Sequence, residues 1–496
     1  VKYTAWLGVW MAIYVGALTF IASSQRLRKF DVAEYFASVS RPFGTLALSI
    51  SFAATLYSAF FMIGIPGFMF AHGIGAWPYV ILGDILGVLV LYAMGRRFLQ
   101  LHTEYVRERN LDKSDLSSPL RLLSIGDDTL ITLAFVGTVS AFMVPYLALQ
   151  LAGIGRLIEA ATGGWVSSWI ASATALLLIW IYSTVAGVRG IVISDFLQGC
   201  VLFTLLAGLG FMVLFQFGGP EQLVWAVRQV EPALLSLPGP SGFFTFTTML
   251  SFFFVVALIP ISQPQFLTRY LLFSPHSDNG QAKVRPVAFG MGWIFAVLSI
   301  PVIFIGLGGA AAFYGAVTGD AVVNAVLSEW TAPWFASLFT VAVICAAMST
   351  SDSVLFSIAQ MISQDIAPRR RFASSSSTNS KHEISAILLS RAFVLIIGVL
   401  AFGLSLVSAE LVLKLGQLAF SGCVIVVPFL ILGFFFRASL ITLRISLYTA
   451  VIGYVALFAL GLAKVLGFDA SLWSALVAFV AGTLHHAKAQ SARARR

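Results

Sequence analysis

The chain alternates between long apolar runs and short polar stretches, and the runs have the length of bilayer-crossing helices. Such a helix needs about 20 mostly apolar residues. Thirteen segments meet that test, at 3–22, 44–71, 75–97, 128–154, 165–187, 190–215, 243–265, 286–315, 332–363, 384–407, 410–436, 442–466 and 468–487. The first has the position of a signal peptide. Its length and the basic flank Arg26, Arg28 and Lys29 instead read as a retained stop-transfer helix with its amino end outside. The pattern predicts an all-α membrane protein of about 13 transmembrane helices.

Composition supports this. The chain has 496 residues, 59% hydrophobic and 10% charged, against about a quarter charged in soluble proteins. So few charges could not cover a chain of this size in water, which excludes a cytosolic enzyme, a disordered scaffold and a secreted disulfide protein. Cys200, Cys345 and Cys423 all fall inside apolar runs, and an odd number argues against a disulfide framework. The six histidines fall in loops or near segment ends, with no Cys, Asp or Glu at metal-ligand spacing. No nucleotide-binding glycine loop is present.

The net charge of +9 matters through its placement. With the amino terminus outside and the carboxyl terminus cytoplasmic, the cytoplasmic loops and adjoining helix ends hold 25 of the 30 Lys and Arg residues. The five exceptions are Lys2, Arg156, Arg228, Lys414 and Lys464. Positive charge therefore sets orientation in the membrane and calls for no nucleic-acid partner. The longest polar stretches are 98–127 and the run Pro368–Arg371 with Ser374–Ser377, both too short for an enzyme domain. A transporter, a channel and a membrane sensor remain.

Two segments carry helix-breaking residues. The second contains Gly64, Pro66 and Gly67 after the stretch Ser51–Ser58; the seventh contains Pro260 and Pro264 among Ser262, Gln263 and Gln265. Proline removes a backbone donor and clashes with the preceding turn, and bare carbonyls at membrane depth are tolerated only in a protein-lined site. The two segments are five spans apart in the order, and that odd step gives them opposite orientation, as two inverted five-helix repeats require. Ordinary proline kinks are the plainer alternative.

The ninth segment reads Ala346-Ala347-Met348-Ser349-Thr350-Ser351-Asp352-Ser353. A carboxylate at a helix centre costs about 2.5–3.5 kcal/mol on insertion scales, so four hydroxyls beside it point to a purpose. Ala346, Ser349, Thr350 and Ser353 share one helix face, and oxygen ligands of this kind suit a hard cation. Asp195 lies in the sixth segment, close to Arg189; pairing with that arginine or with backbone is its structural alternative. Asp84, near the middle of the third segment, either faces a pathway or pairs with a polar neighbour.

Together these residues resemble the sodium:solute symporter family, whose core is the inverted-repeat fold of the leucine-transporter type. The resemblance rests on Glu34-Tyr35-Phe36, Ser58–Gly67, Pro145-Tyr146 with Gln150, Gly187–Gln198, and Ala346–Ser353 running on to Asp365. It implies a 5+5 core with one extra amino-terminal helix and two extra carboxyl-terminal helices. The corresponding divisions are 1–43, 44–217, 218–436 and 437–496. It implies no enzyme, and sodium as coupling ion. The first sodium site would use carbonyls of Ala54, Tyr57 and Ala346 with hydroxyls of Ser349 and Thr350. A second cation site, present in some members, maps to Asp195, Ser349, Asp352 and Ser353. Asp352 stands where the family often has Ser, which leaves sodium or a proton open there.

Family solutes bind beside the broken helices, so Thr55, Ser58, Tyr146, Gln150, Gln263 and Gln417 are candidates to line the solute site; interhelical hydrogen bonding is the plain alternative. Leu56 replaces a carboxylate found in some amino-acid carriers of the family. No Arg or Lys is expected at mid-membrane depth to hold a solute carboxylate. The Ser349–Ser353 run and Leu415-Gly416-Gln417 look more like the branch carrying monocarboxylates and pantothenate than the sugar branch. The expected function is sodium-driven import of a small organic solute across a bacterial-type inner (plasma) membrane by alternating access. The rivals are a proton-coupled carrier of the same fold, with Asp195 or Asp352 titrating, and the symporter-like domain of a signalling protein whose chain continues beyond Arg496.

Overall fold

The computed structural model describes residues 2–25, 32–38, 42–108, 119–123, 128–273, 280–366, 379–407, 419 and 422–494. In chain order the helices are α1 (Lys2–Ser24), α2 (Val32–Ala37), α3 (Thr45–Leu56), α4 (Ile65–His72), α5 (Ala76–Glu108), α6 (Pro119–Leu122), α7 (Thr129–Ala161), α8 (Ser168–Gln216) and α9 (Pro220–Val230). They continue with α10 (Phe246–Ser262), α11 (Pro264–Arg269), α12 (Gly280–Phe313), α13 (Val322–Trp330), α14 (Pro333–Met361), α15 (Asn379–Ser405), α16 (Val427–Phe434), α17 (Leu440–Ala459) and α18 (Ala470–Ala494). A two-stranded hairpin, β1 (Lys464–Val465) and β2 (Phe468–Asp469), joins α17 to α18.

This is an all-α multi-spanning membrane fold. Among the described residues nine helices are long and apolar enough to cross a bilayer, or eleven if each of two bent pairs is one span. The difference from thirteen has physical causes. Segments five and six lie together in the 49-residue α8, divided by non-helical backbone at Gly187 (φ 61°, ψ −159°) instead of a loop. The eleventh segment, 410–436, has 410–418, 420 and 421 outside the described residues, and its described part holds only the short apolar helix Cys423–Phe434. The polar stretch from 98 begins as helix, because α5 continues to Glu108 and buries His102. The basic and serine-rich run 368–377 lies outside the described residues.

α14 is the centre of the bundle. Every residue from Phe339 to Met361 is buried, as expected of a helix surrounded by other helices. α1, α3, α7, α8 and α15 pack around it. Close approach elsewhere depends on small residues: a methyl added at Gly210 would lie 2.5 Å from Pro301 Cα, and one at Gly306 would lie 2.8 Å from Pro66 O. At the Gly187 kink an added methyl would lie 2.7 Å from Tyr35 O, so the kink is also where α2 docks.

Both expected interruptions are present; the first opens ahead of its glycine–proline stretch, and the second opens directly before Pro264. Helices α3 and the 60–72 stretch bend by 67°, and the α10–α11 pair by 44°. In the first, the helix ends at Leu56, and Tyr57–Ser58 form the break, ahead of Gly64, Pro66 and Gly67. Phe60–Gly64 form a π-turn, with Ile65 N–H reaching Phe60 O, and Pro66 sits in the first turn of α4, where its missing N–H is harmless. In the second, Pro260 lies inside α10 and the chain opens at Gln263 (φ −94°, ψ 137°), with Pro264 starting α11. Pro264 cannot donate to Pro260 O; the Tyr270 hydroxyl does so instead, at 2.9 Å.

Candidate cation and solute site

The last turn of α3 supplies carbonyls that a continuing helix would have satisfied. Tyr57 N–H returns to Ala53 O, and Ser58 N–H turns back to Leu56 O at 2.9 Å. The neighbouring carbonyls meet hydroxyls from α14. Ser349 Oγ lies 3.0 Å from Ala54 O and 3.1 Å from Ala346 O. Thr350 Oγ1 lies 3.1 Å from Thr55 O and 3.1 Å from Ala346 O. Ala54, Ala346, Ser349 and Thr350 of the expected first site are therefore together, all buried. Tyr57 is in the break itself, its ring packed against Phe61, Phe203 and Phe295. The set is oxygen-only and formally neutral, chemistry that suits a hard monovalent cation.

The four residues of the expected second site are divided. Ser349 turns to the Ala54 and Ala346 carbonyls, while Asp195 and Ser353 hold a guanidinium and Asp352 bonds to Ser353 beside it. Arg269, at the end of α11, pairs with Asp195 Oδ2, donates to Thr55 Oγ1, and reaches Ser353 Oγ at 2.7 Å. Ser51 Oγ donates to the same Asp195 oxygen at 2.8 Å. Ser353 Oγ donates to Asp352 Oδ1 at 2.9 Å, and the Tyr182 hydroxyl donates to Asp352 Oδ2. The expectation of no Arg or Lys at this depth is thus corrected. The apolar run does not stop at Gln265, because Phe266–Phe273 are buried around Arg269. Arg189 is not the partner of Asp195; it holds Gln25 Oε1 at 2.9 Å and Ser38 Oγ at 3.1 Å.

The solute candidates also separate. A cavity of about 390 Å³ lies against the π-turn, α4 and α7, with Phe60, Gly64, Gly67, Phe68, Gln150 and Gly319 in its wall. Gln150 is 1% exposed, and among the described residues neither its Oε1 nor its Nε2 has a hydrogen-bond partner. Tyr146, one turn earlier on α7, is buried, with its hydroxyl within electrostatic range of Ser58 and Thr350. Thr55 is committed to Arg269, and Gln263 Oε1 accepts from Gln265 Nε2 at 2.5 Å. Gln417 lies outside the described residues. Asp84 is buried on α5 within electrostatic reach of Tyr57, so it faces the bent pair and not lipid.

Sequence reasoning missed Arg269, Ser51, Tyr182 and the Tyr14–Gln198 pair, in which Gln198 Nε2 donates to Tyr14 OH at 2.5 Å. The available signal for Arg269 was the apolar Phe266-Leu267 and Tyr270–Phe273 on either side of it.

Bent helices abutting a fully buried helix, with carbonyls and hydroxyls meeting at the bend, give an all-α multi-spanning membrane fold related to inverted-repeat transporters. The fold is similar to a substrate-bound, outward-open Na+-coupled sialic acid symporter (TM-score 0.71, 16% identity, 98% of this chain and 97% of the other). It is also similar to a closed nucleobase-cation-symport-1 family transporter with bound bromovinylhydantoin (TM-score 0.58, 15% identity, 93% and 94%). The model of the sodium:solute symporter family matches residues 35–457, and the chain belongs to that family. Among its relatives, the sodium/pantothenate symporter of Haemophilus influenzae is 25% identical over 423 residues, 84% of this chain and 81% of the relative. The osmoregulated proline transporter of Bacillus subtilis is 23% identical over 415 residues, 83% and 80%. This chain is a multi-pass membrane protein and a sodium-coupled secondary transporter of a small solute, a transport protein and not an enzyme.

Proposed function

We propose that the coupling sodium binds between α3 and α14, to Ala54 O, Ala346 O, Ser349 Oγ and Thr350 Oγ1, with Tyr57 O completing the set. The observation that carries this is the meeting of two α14 hydroxyls with carbonyls at the end of a helix broken at Tyr57. An ion held by both elements fastens α3 to α14; its release to the cytoplasm removes that fastening and favours the inward-facing form. The solute enters the cavity beside α4 and presents polar groups to Gln150 and Tyr146. Tyr146, one turn from Gln150 and near Ser58 and Thr350, is the residue that would bring solute and sodium close together. Linkage then requires each to raise the other's affinity by one common factor.

The solute we favour is a small organic acid, such as pantothenate or a monocarboxylate. Two kinds of observation support it: the similarity to sodium/pantothenate symporters of Haemophilus influenzae and Escherichia coli, each 25% identical, and the lone amide of Gln150, which can donate to a carboxylate. Arg269 is taken up by Asp195 and lies outside the cavity wall. The architecture proposed around this site has 13 spans. Residues 44–217 and 218–436 form two inverted five-helix repeats, each opened by a bent pair. The amino terminus is outside and the basic tail is on the cytoplasmic face of the plasma membrane.

A sodium titration of the purified protein tests the cation site. Thermal unfolding is followed in NaCl, with KCl and choline chloride as ionic-strength controls. A ligand bound only to the folded state adds about 2.7 kcal/mol at 100 times its dissociation constant. A sodium-specific rise that Ser349→Ala weakens is the expected result; a midpoint indifferent to sodium removes the assignment.

A further inference from the structure

We propose that the solute is held at both ends, its acid group by Gln150 and a hydroxyl at its far end by His72. The class this selects is an elongated hydroxy acid and not a short monocarboxylate. The inference deepens the organic-acid reading above and rests on it.

Among the described residues the cavity beside α4 has three polar side chains in its wall, Gln150, His72 and Thr318, set against apolar Phe60, Ile63, Phe68 and Leu149. The wall follows the chain from Phe60 to His72, the last residue of α4, a path of about 18 Å at the rise of a helix. Gln150 stands one turn past Tyr146 on α7, and Tyr146 is within electrostatic range of Ser58 and Thr350. A carboxylate there is favoured by the charge of the proposed sodium. His72 stands at the other end of α4.

The His72 ring is fixed without using all of its polar atoms. Phe68 and Phe243 pack against it at centroid distances of 4.6 and 4.8 Å, and Nδ1 lies 2.6 Å from Ser241 Oγ. The segment before α10 also closes on the backbone here, since a methyl added at Gly239 would lie 2.2 Å from His72 O. That leaves Nε2 as the ring's remaining polar atom, with no hydrogen-bond partner among the described residues. In a neutral imidazole one nitrogen donates and the other accepts, so Nε2 takes whichever role Ser241 leaves to it. A hydroxyl answers either role, whereas a carboxylate only accepts. Propionate is far shorter than the path along α4 and reaches one end only. Pantothenate carries a carboxylate at one end and a hydroxyl at the other.

Solute-dependent thermal stabilisation of the purified full chain in saturating sodium tests this, with pantothenate and propionate as probes. The wild type is expected to bind pantothenate the more tightly. His72→Ala is expected to lose roughly three- to tenfold in pantothenate affinity and nothing in propionate affinity, whereas Gln150→Ala weakens both. His72→Phe, which keeps a ring between Phe68 and Phe243, is expected to show the same selective loss and serves if His72→Ala does not fold; the sodium-specific rise of each variant is its fold control. Pantothenate bound no more tightly than propionate by the wild type overturns the proposal. So does an equal change for both probes, or none, in the folded His72 variants. Failure of the underlying reading looks different: sodium stabilises the wild type, neither acid adds to it, and the proposal falls with that reading.

Discussion

Arg269 and Asp195 form an ion pair inside the bundle, with side chains 5% and 0% exposed, that ties α11 to the middle of α8. Removing one partner of such a pair leaves an uncompensated buried charge and costs about 3–5 kcal/mol, whereas replacing both with apolar groups of similar size is often neutral. In sodium-free detergent, Arg269→Ala or Asp195→Asn should therefore lower the unfolding midpoint sharply. Arg269→Met combined with Asp195→Leu should recover most of the loss. A double variant no better than the sum of the singles would show that the two residues act independently.

Gln150 makes the opposite prediction. Its amide is buried with no partner among the described residues, so Gln150→Ala forfeits no hydrogen bond to them and should leave the sodium-dependent midpoint unchanged. If the amide meets a charged solute, losing it should weaken solute affinity by about 1.5–3 kcal/mol, roughly ten- to a hundredfold. Solute-dependent stabilisation in saturating sodium, with pantothenate and proline as probes, measures this. An equal fall in stability with and without solute would make Gln150 a packing residue.

Gly187 combines a positive φ with a neighbouring backbone. Gly187→Ala places a methyl 2.7 Å from Tyr35 O and holds a residue with a side chain at φ 61°. Strain of this kind costs about 1–3 kcal/mol before the clash is counted. The expected outcome is a marked loss of folded yield. Gly137, with nothing within 4 Å of an added methyl, is the control: Gly137→Ala should be neutral or slightly stabilising.

Asp128 caps the amino end of α7, accepting from Leu130 N–H at 3.1 Å and Ile131 N–H at 3.3 Å, and pairs with Arg444 on α17. Desolvation raises its carboxyl group's pKa, but Arg444 and the two backbone donors outweigh that and hold it below the ordinary carboxylate value. The stabilisation is therefore fully present above the unfolded carboxylate pKa, about 3.9, and is lost as pH falls through the lower folded value. Asp128→Ala should cost about 1 kcal/mol at neutral pH and should flatten the acid limb of the stability profile.

Much of the arrangement was legible because apolar length and intramembrane polarity are strong signals. Ser349, Thr350 and Asp352 stand out in an apolar run, and the helix they define is the most deeply buried in the molecule. The break at Gln263 was legible in Pro264, whereas Pro66 did not place the break at Tyr57–Ser58, since packing also decides where a helix opens. Tyr57–Ser58 opens ahead of Pro66 because the π-turn at Phe60–Gly64 absorbs the proline. Arg269 was hidden by the same rule that found the helices. A charge after an apolar run reads as the membrane boundary, and only tertiary pairing with Asp195 lets one sit inside. The division at Gly187 was legible as the join between the apolar runs 165–187 and 190–215, but not that both runs lie in one 49-residue helix, because the kink leaves no polar loop between them.

The bend at Tyr57–Ser58 also bears on the cost of motion. A continuous helix that changes direction must rupture ladder hydrogen bonds as it goes. Here α3 and α4 already meet at 67°, and the bonds at their junction have been given over to short turns and to side chains of α14. Swinging one half against the other therefore sacrifices little backbone bonding. What resists the swing is whatever fills the junction, so the stiffness of this joint is set by its occupants and changes each time an ion arrives or leaves.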